Sequence, residues 1–172
     1  EALDAQNTQA LMHWEDTVYA MFLNEWKLQK PNQILKQIAI VDDNPIEQHF
    51  YPEFLLFKFL FESKGIQTHI VDPKHLIYKN KKLYNEQQEI DLVYNRLTDF
   101  WFSAPEHHAL KKAYLASDVV VTPHPYVYAL YADKRNLTLL SDAALLKIWG
   151  LDKKTRDILN LGIPKTCLVN LD

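Results

Sequence analysis

Gln37-Ile38-Ala39-Ile40-Val41-Asp42-Asp43-Asn44-Pro45 decides the fold, because an unbroken apolar run leads straight into an acidic turn. A strand with one wet face alternates apolar and polar residues; a strand covered on both faces does not. The run therefore predicts a buried parallel strand over 37–41, with Asp42-Asp43-Asn44-Pro45 turning at its carboxyl end. The pattern recurs over 67–71, closed by Asp72-Pro73, over 90–95, and over 119–122, closed by Pro123-His124-Pro125.

Helical patterns separate these runs. Residues 3–29 set Leu11, Trp14, Val18, Met21 and Phe22 on one face, and Pro31 stops the helix. In 50–64, Phe50, Phe54, Phe57 and Phe61 fall at i, i+4, i+7 and i+11, which is one packing face ended by Lys64-Gly65. More helices are expected over 105–117, opened by Ser103 and Pro105, over 126–148 and over 153–161. A hairpin is expected over 76–84, and a last strand begins over 166–170. Strands alternating with helices imply an α/β fold, a three-layer Rossmann-like open sheet, mostly parallel, with a small β-hairpin insertion. Aromatic density falls after Gly150. That change divides the chain into a domain over 1–150, with an N-terminal helix over 1–30, and a linker helix with the start of another domain over 151–172.

Composition narrows the function. The 172 residues carry a formal charge of −3, which gives no electrostatic footprint for nucleic acid. The basic cluster Lys79, Lys81, Lys82 reads as a solvated turn. One cysteine, Cys167, excludes an internal disulfide and argues against a structural zinc; it reads as a small core residue in a strand. Apolar runs are broken by charge, as at Lys58, so no membrane span is expected, and no signal peptide is visible. The three glycines, Gly65, Gly150 and Gly162, lie too far apart to write either glycine-rich phosphate motif. The chain starts at Glu1 without Met and ends in a strand-like Leu168-Val169-Asn170-Leu171-Asp172, which suggests a piece of a larger polypeptide.

Ligands of open parallel sheets bind beyond the carboxyl ends of the strands. Asp42 and Asp43 end the first strand, Asn95, Arg96, Thr98 and Asp99 the third, Thr122 and His124 the fourth. The aspartate pair suits a divalent cation, or equally an Asx-turn or helix cap. Arg96 needs a carboxylate, Asp99 being the nearest in sequence, or an anionic ligand. His107 and His108 stand about 100° apart on a helix, too far to share one ion, and are read as surface residues. His124 is the histidine placed to meet a ligand, its other role being a structural hydrogen bond. No Ser/His/Asp or Cys/His arrangement is legible, and no catalytic residue or metal ligand is assigned.

Ile40-Val41-Asp42-Asp43-Asn44-Pro45 and Asp91-Leu92-Val93-Tyr94-Asn95 resemble two strands of response-regulator receiver domains. Asn95 stands where the phosphoacceptor aspartate would be, which implies at most a degenerate signalling or binding module without enzyme activity. A second resemblance covers about residues 3–170. It is carried by Tyr51-Pro52-Glu53-Phe54-Leu55-Leu56-Phe57, Asp91 to Phe100, Val121-Thr122-Pro123-His124-Pro125, Ala132-Asp133-Lys134-Arg135-Asn136 and Leu161-Gly162-Ile163-Pro164-Lys165-Thr166. Together these look like the preATP-grasp domain of circularly permuted ATP-grasp proteins, similar to bacterial, cytoplasmic proteins of the glutathionylspermidine synthase group.

That resemblance implies a ligase that activates a carboxylate with ATP and Mg2+ and lets an amine or thiol attack the acyl phosphate. The partners it implies are a small carboxylate or amine substrate and the rest of the same polypeptide, with neither nucleic acid nor membrane. Asn95, Arg96, Thr98, Asp99 and His124 would face the substrate, and Lys134 would reach the ATP phosphates. The alternative for Lys134 is a solvated lysine in a first helical turn. These residues alone are expected to bind no ATP or Mg2+ and to be catalytically silent.

Overall fold

A computed structural model describes the backbone of residues 2–169 and the side chains of residues 13–169. The chain divides into two compact units, Glu1–Pro125 and Tyr126–Asp172. This division by packing falls well before the compositional change at Gly150.

The first unit is an open α/β sheet. Strands β1 (Gln37–Val41), β2 (Gln67–Val71), β6 (Leu92–Asn95) and β7 (Val120–Thr122) pair in parallel in the order β2-β1-β6-β7. Between β2 and β6 the chain inserts β3 (Leu76–Lys79), β4 (Lys82–Asn85) and β5 (Gln88–Ile90), a separate antiparallel sheet. The chain steps from β1 to β2 in one direction and from β6 to β7 in the other. With right-handed crossovers, that reversal puts α2 (Tyr51–Ser63) and α3 (His108–Leu115) on opposite faces of the sheet. Three layers follow from one change of direction.

The pleat sorts the side chains accordingly. Ile38, Ile40, Leu92, Tyr94 and Val120 pack with Phe54 and Phe61 of α2 and with Phe22 and Trp26 of α1 (Ala2–Gln29). Ala39, Val41, Val93 and Val121 point the other way, onto Leu110 and Ala113 of α3 and Leu76, Leu83 and Ile90 of the inserted sheet. Each such large side chain contributes on the order of 1.5–3 kcal/mol when buried. Phe22 meets Phe61 edge-on at 4.9 Å between ring centroids and Tyr94 at 5.0 Å. The chain leaves α2 through Gly65 at φ 82, with Ile66 N–H donating back to Phe61 O. A side chain there would be strained.

Several expectations need correction. The packed face of α1 is Phe22 and Trp26, supported by Val18, Tyr19 and Leu23; Trp14 and Met21 are exposed. Leu11 lies outside the residues with described side chains. Phe50 is exposed at the head of α2, although Phe54, Phe57 and Phe61 do pack inward. The apolar run 90–95 is two strands in two sheets. Ile90 ends β5, and Asp91 turns the chain by accepting the N–H groups of Lys36 and Gln37 at 2.9 Å each.

The second unit is helical. The expected helix over 126–148 is three pieces: α4 (Pro125–Tyr131), which begins at the last residue of the first unit, α5 (Asn136–Leu140) and α6 (Ala143–Ile148). Asp142 caps α6 by accepting from Ala144 and Leu145 N–H, and Asp133 turns the chain before α5 by accepting from Arg135 N–H. Helix α7 (Lys153–Gly162) follows. Residues 166–169 form no strand and Cys167 is exposed, because an extended segment without a neighbouring strand has nothing to pair with. Residues 170–172 of that expected strand lie outside the described residues.

Candidate functional site

Strand order reverses between β1 and β6, and the crevice at such a switch point is where open α/β sheets take ligands. Parallel register brings the strand ends together there. Val41 pairs with Asn95, and Arg96 N–H donates to Val41 O at 2.9 Å. Asp42, Asp43, Asn95 and Arg96 therefore share one rim.

Arg96 follows the parity of Tyr94 and emerges on the α2 side. Its guanidinium stacks over Phe50, Phe54 and Tyr94, 5.5–5.7 Å from their ring centroids. Nη1 donates to Tyr94 Oη at 3.0 Å and meets Glu53 Oε1 at 3.2 Å. The carboxylate partner is thus Glu53, not Asp99, since Asp99 lies in the loop that turns toward α3. Arg96 remains about one quarter exposed, a fixed cation beside the crevice. Asn95 is buried and its side-chain oxygen accepts from Leu97 N–H at 3.2 Å, which shapes the loop.

On the other side of the rim stands His107, which is not the surface residue expected. His107 is 2% exposed. Its Nδ1 lies 2.9 Å from Asp99 Oδ2 and its Nε2 lies 2.9 Å from Asp43 Oδ1. Asp99 is also organised by the backbone, accepting from Trp101, Ser103 and Ala104 N–H. Burial alone would raise Asp99, but the Ala104 N–H, the His107 ring and the Ser103 N–H outweigh it and hold the carboxyl below its ordinary range. Burial would likewise lower His107, but the two carboxylates prevail and raise it above the ordinary histidine value. Asp42 is pushed up by burial and by the Asp43 charge, against the pull of the Asp43 N–H, Arg96 and His107. It accepts from the adjacent Asp43 N–H at 2.9 Å, while Asn44 N–H donates to Asp72 at 3.1 Å, so the expected Asx-turn does not form.

A signal for His107 was available. It stands three residues before buried Leu110 and six before buried Ala113, in phase with the inward face of α3. His108, one residue on, is exposed as expected.

The remaining expected positions scatter. Thr98 is exposed in the loop after β6. His124 is exposed at the end of β7, with Nε2 3.4 Å from Tyr114 Oη and the two rings edge-on. Lys134 belongs to the second unit and is exposed just before α5. At the β1 and β2 ends lies a cavity of about 320 Å³, lined by Asn44, Pro45, Ile46, Tyr51, Asp72 and Lys74. Asp72 ties its wall by accepting from Asn44 and Lys74 N–H and pairing with Lys74 Nζ at 2.8 Å. Because the cavity is on the β2 side, it flanks the switch point without containing Arg96.

Among the described residues no group of three or more His, Cys, Asp or Glu is arranged to hold a metal. Gly65 and Gly150, at positive φ, end helices rather than cradle phosphate. No helix among the described residues is long and apolar enough to cross a membrane. The chain matches no known family model and no curated protein.

Proposed function

We propose that this chain is the substrate-side preATP-grasp domain of a cytoplasmic ATP-dependent ligase that joins a carboxylate to an amine or thiol through an acyl phosphate. The observation that carries the reading is the reversal of strand order between β1 and β6 with a half-buried arginine fixed at its rim. A guanidinium held by three rings and Glu53 is pre-aimed and loses little freedom on meeting a carboxylate or phosphate oxygen. Such a fixed cation suits an anionic substrate whose charge grows during activation.

The sheet order serves a degenerate receiver module equally well. The ligase reading is favoured by the sequence segments at Ala132–Asn136 and Leu161–Thr166, whose order after the β7 proline loop resembles the passage into an ATP-grasp domain. In this reading Arg96, with Asn95, Thr98, Asp99 and His124, belongs to the substrate side, and Lys134 to the ATP phosphates. ATP and Mg2+ are held by other parts of the same polypeptide.

The test is ADP release by the natural polypeptide that carries this domain, given Mg2+, ATP and mixed small carboxylates and amines. Turnover is expected, and Arg96→Ala is expected to lower kcat/KM by about tenfold or more, the loss of one charge-assisted contact. No ADP release under any mixture, or tight ATP binding by residues 1–172 alone in calorimetry, overturns the reading.

A further inference from the structure

Buried histidines in water-free surroundings are ordinarily neutral, because desolvation disfavours the charge. His107 is placed otherwise. Both ring nitrogens lie 2.9 Å from carboxylate oxygens, Asp99 on one side and Asp43 on the other. A neutral imidazole has one N–H and one lone pair, so it can donate to only one of them. The geometry therefore requires the ring to carry two protons, or one carboxylate to carry the second.

The two arms are unequal. Asp99 keeps its place without the ring, because Trp101, Ser103 and Ala104 N–H already hold it. Asp43 is about half exposed, and among the described residues His107 alone holds its carboxylate. Asp43 belongs to the turn between β1 and α2, where Asn44 sits at a positive φ of 42 and lines the neighbouring cavity with Pro45 and Ile46. Other charged groups face this contact. Asp42 and Arg96 lie on the same rim. Lys74 and His75 lie on the turn Pro73–His75, which packs against the turn Pro105–His107. Glu106 and His108 are chain neighbours of the ring, and Phe102 meets it edge-on at 6.4 Å.

We propose that His107 is a proton-operated latch. As an imidazolium it pins the Asp43 turn to the Asp99 loop across the carboxyl edge of the sheet; as a neutral ring it keeps Asp99 and releases Asp43. On losing its proton the ring keeps Nδ1–H on Asp99 and turns the Nε2 lone pair toward Asp43 Oδ1, where two acceptors repel. The exposed carboxylate then swings into water and frees the turn beside the cavity. The latch stands on this geometry alone, whatever the site binds.

The test is nuclear magnetic resonance on the 172-residue chain with 15N-labelled histidine, titrated from about pH 5 to about pH 9. The His107 signals are assigned through the Phe102 ring contact. Below the transition both ring nitrogens are expected to be protonated. Through it, protection of the amides of 43, 44 and 46–48 against exchange is expected to fall by about tenfold, the loss of one net hydrogen bond, while β1 and β6 stay protected. Asp43→Asn, at an exposed position, is expected to lower the His107 midpoint and make protection of these amides independent of pH. A ring with one protonated nitrogen throughout overturns the latch. So does a ring that titrates while these amides keep their protection, or an Asp43→Asn chain that matches the wild type.

Discussion

The two units treat their apolar residues in opposite ways. In Glu1–Pro125 the sheet buries both faces, one against aromatic rings of α1 and α2, the other against aliphatic side chains of α3 and the inserted sheet. In Tyr126–Asp172, Leu146 is the only buried residue among those described, while Tyr131, Ile148 and Leu161 are largely exposed. Similar composition thus has different consequences. A sheet with helices on both sides encloses its strands, whereas short helices in series each bury only a stripe.

The largest effect should come from the enclosed side. Phe61 is fully buried between Phe22 and Phe57, so Phe61→Ala is expected to cost about 3–5 kcal/mol, read from urea unfolding followed by strand and helix signals. A loss under about 1 kcal/mol, less than full burial of a ring is worth, would erase the contrast between the units.

Next comes the rim. His107→Gln removes two charge-assisted contacts and is expected to cost about 1–3 kcal/mol near pH 6. The folded His107 value is raised, so this stabilisation is complete below the ordinary histidine value and is lost as pH rises through the folded one. The gap between wild-type and variant thermal melts should therefore narrow as pH rises through the raised His107 value. Arg96→Lys keeps the charge but loses the guanidinium's contacts with the Phe50, Phe54 and Tyr94 rings, with an expected loss of about 0.5–1 kcal/mol in the same melts.

Sequence periodicity reached what depends on one segment at a time. β1 and β2 were legible to the residue, because an apolar run bounded by turn residues has one reading. The split at Asp91 was not, since the apolar pattern runs through it and only pairing reveals a change of sheet. The break at Asp133 is a turn and the one at Asp142 a helix cap, and the effect of each depends on which N–H groups fold back onto it. At the site, Arg96 and the aspartates were placed at strand ends from the sequence. The Arg96–Glu53 pair depends on strand parity and the seating of α2, and the Asp43–His107 contact joins residues 64 positions apart. Such contacts are set by topology, which enters only after the strands are ordered.

The smallest effect sharpens the comparison most. Leu161 is 89% exposed on α7, so removing its side chain takes away little buried area among the described residues. Leu161→Ser is then expected to change stability by less than about 0.5 kcal/mol, the range of an ordinary surface substitution. The urea midpoint of either protein should also be independent of protein concentration. A larger loss, or a midpoint that rises with concentration, would mean that the apolar side chains of the second unit are covered by another copy in solution. Stability would then depend on association as well as on the sheet. Leu146→Ala supplies the internal control, because it empties the one enclosed position among the described residues of the second unit and should be costly at every concentration.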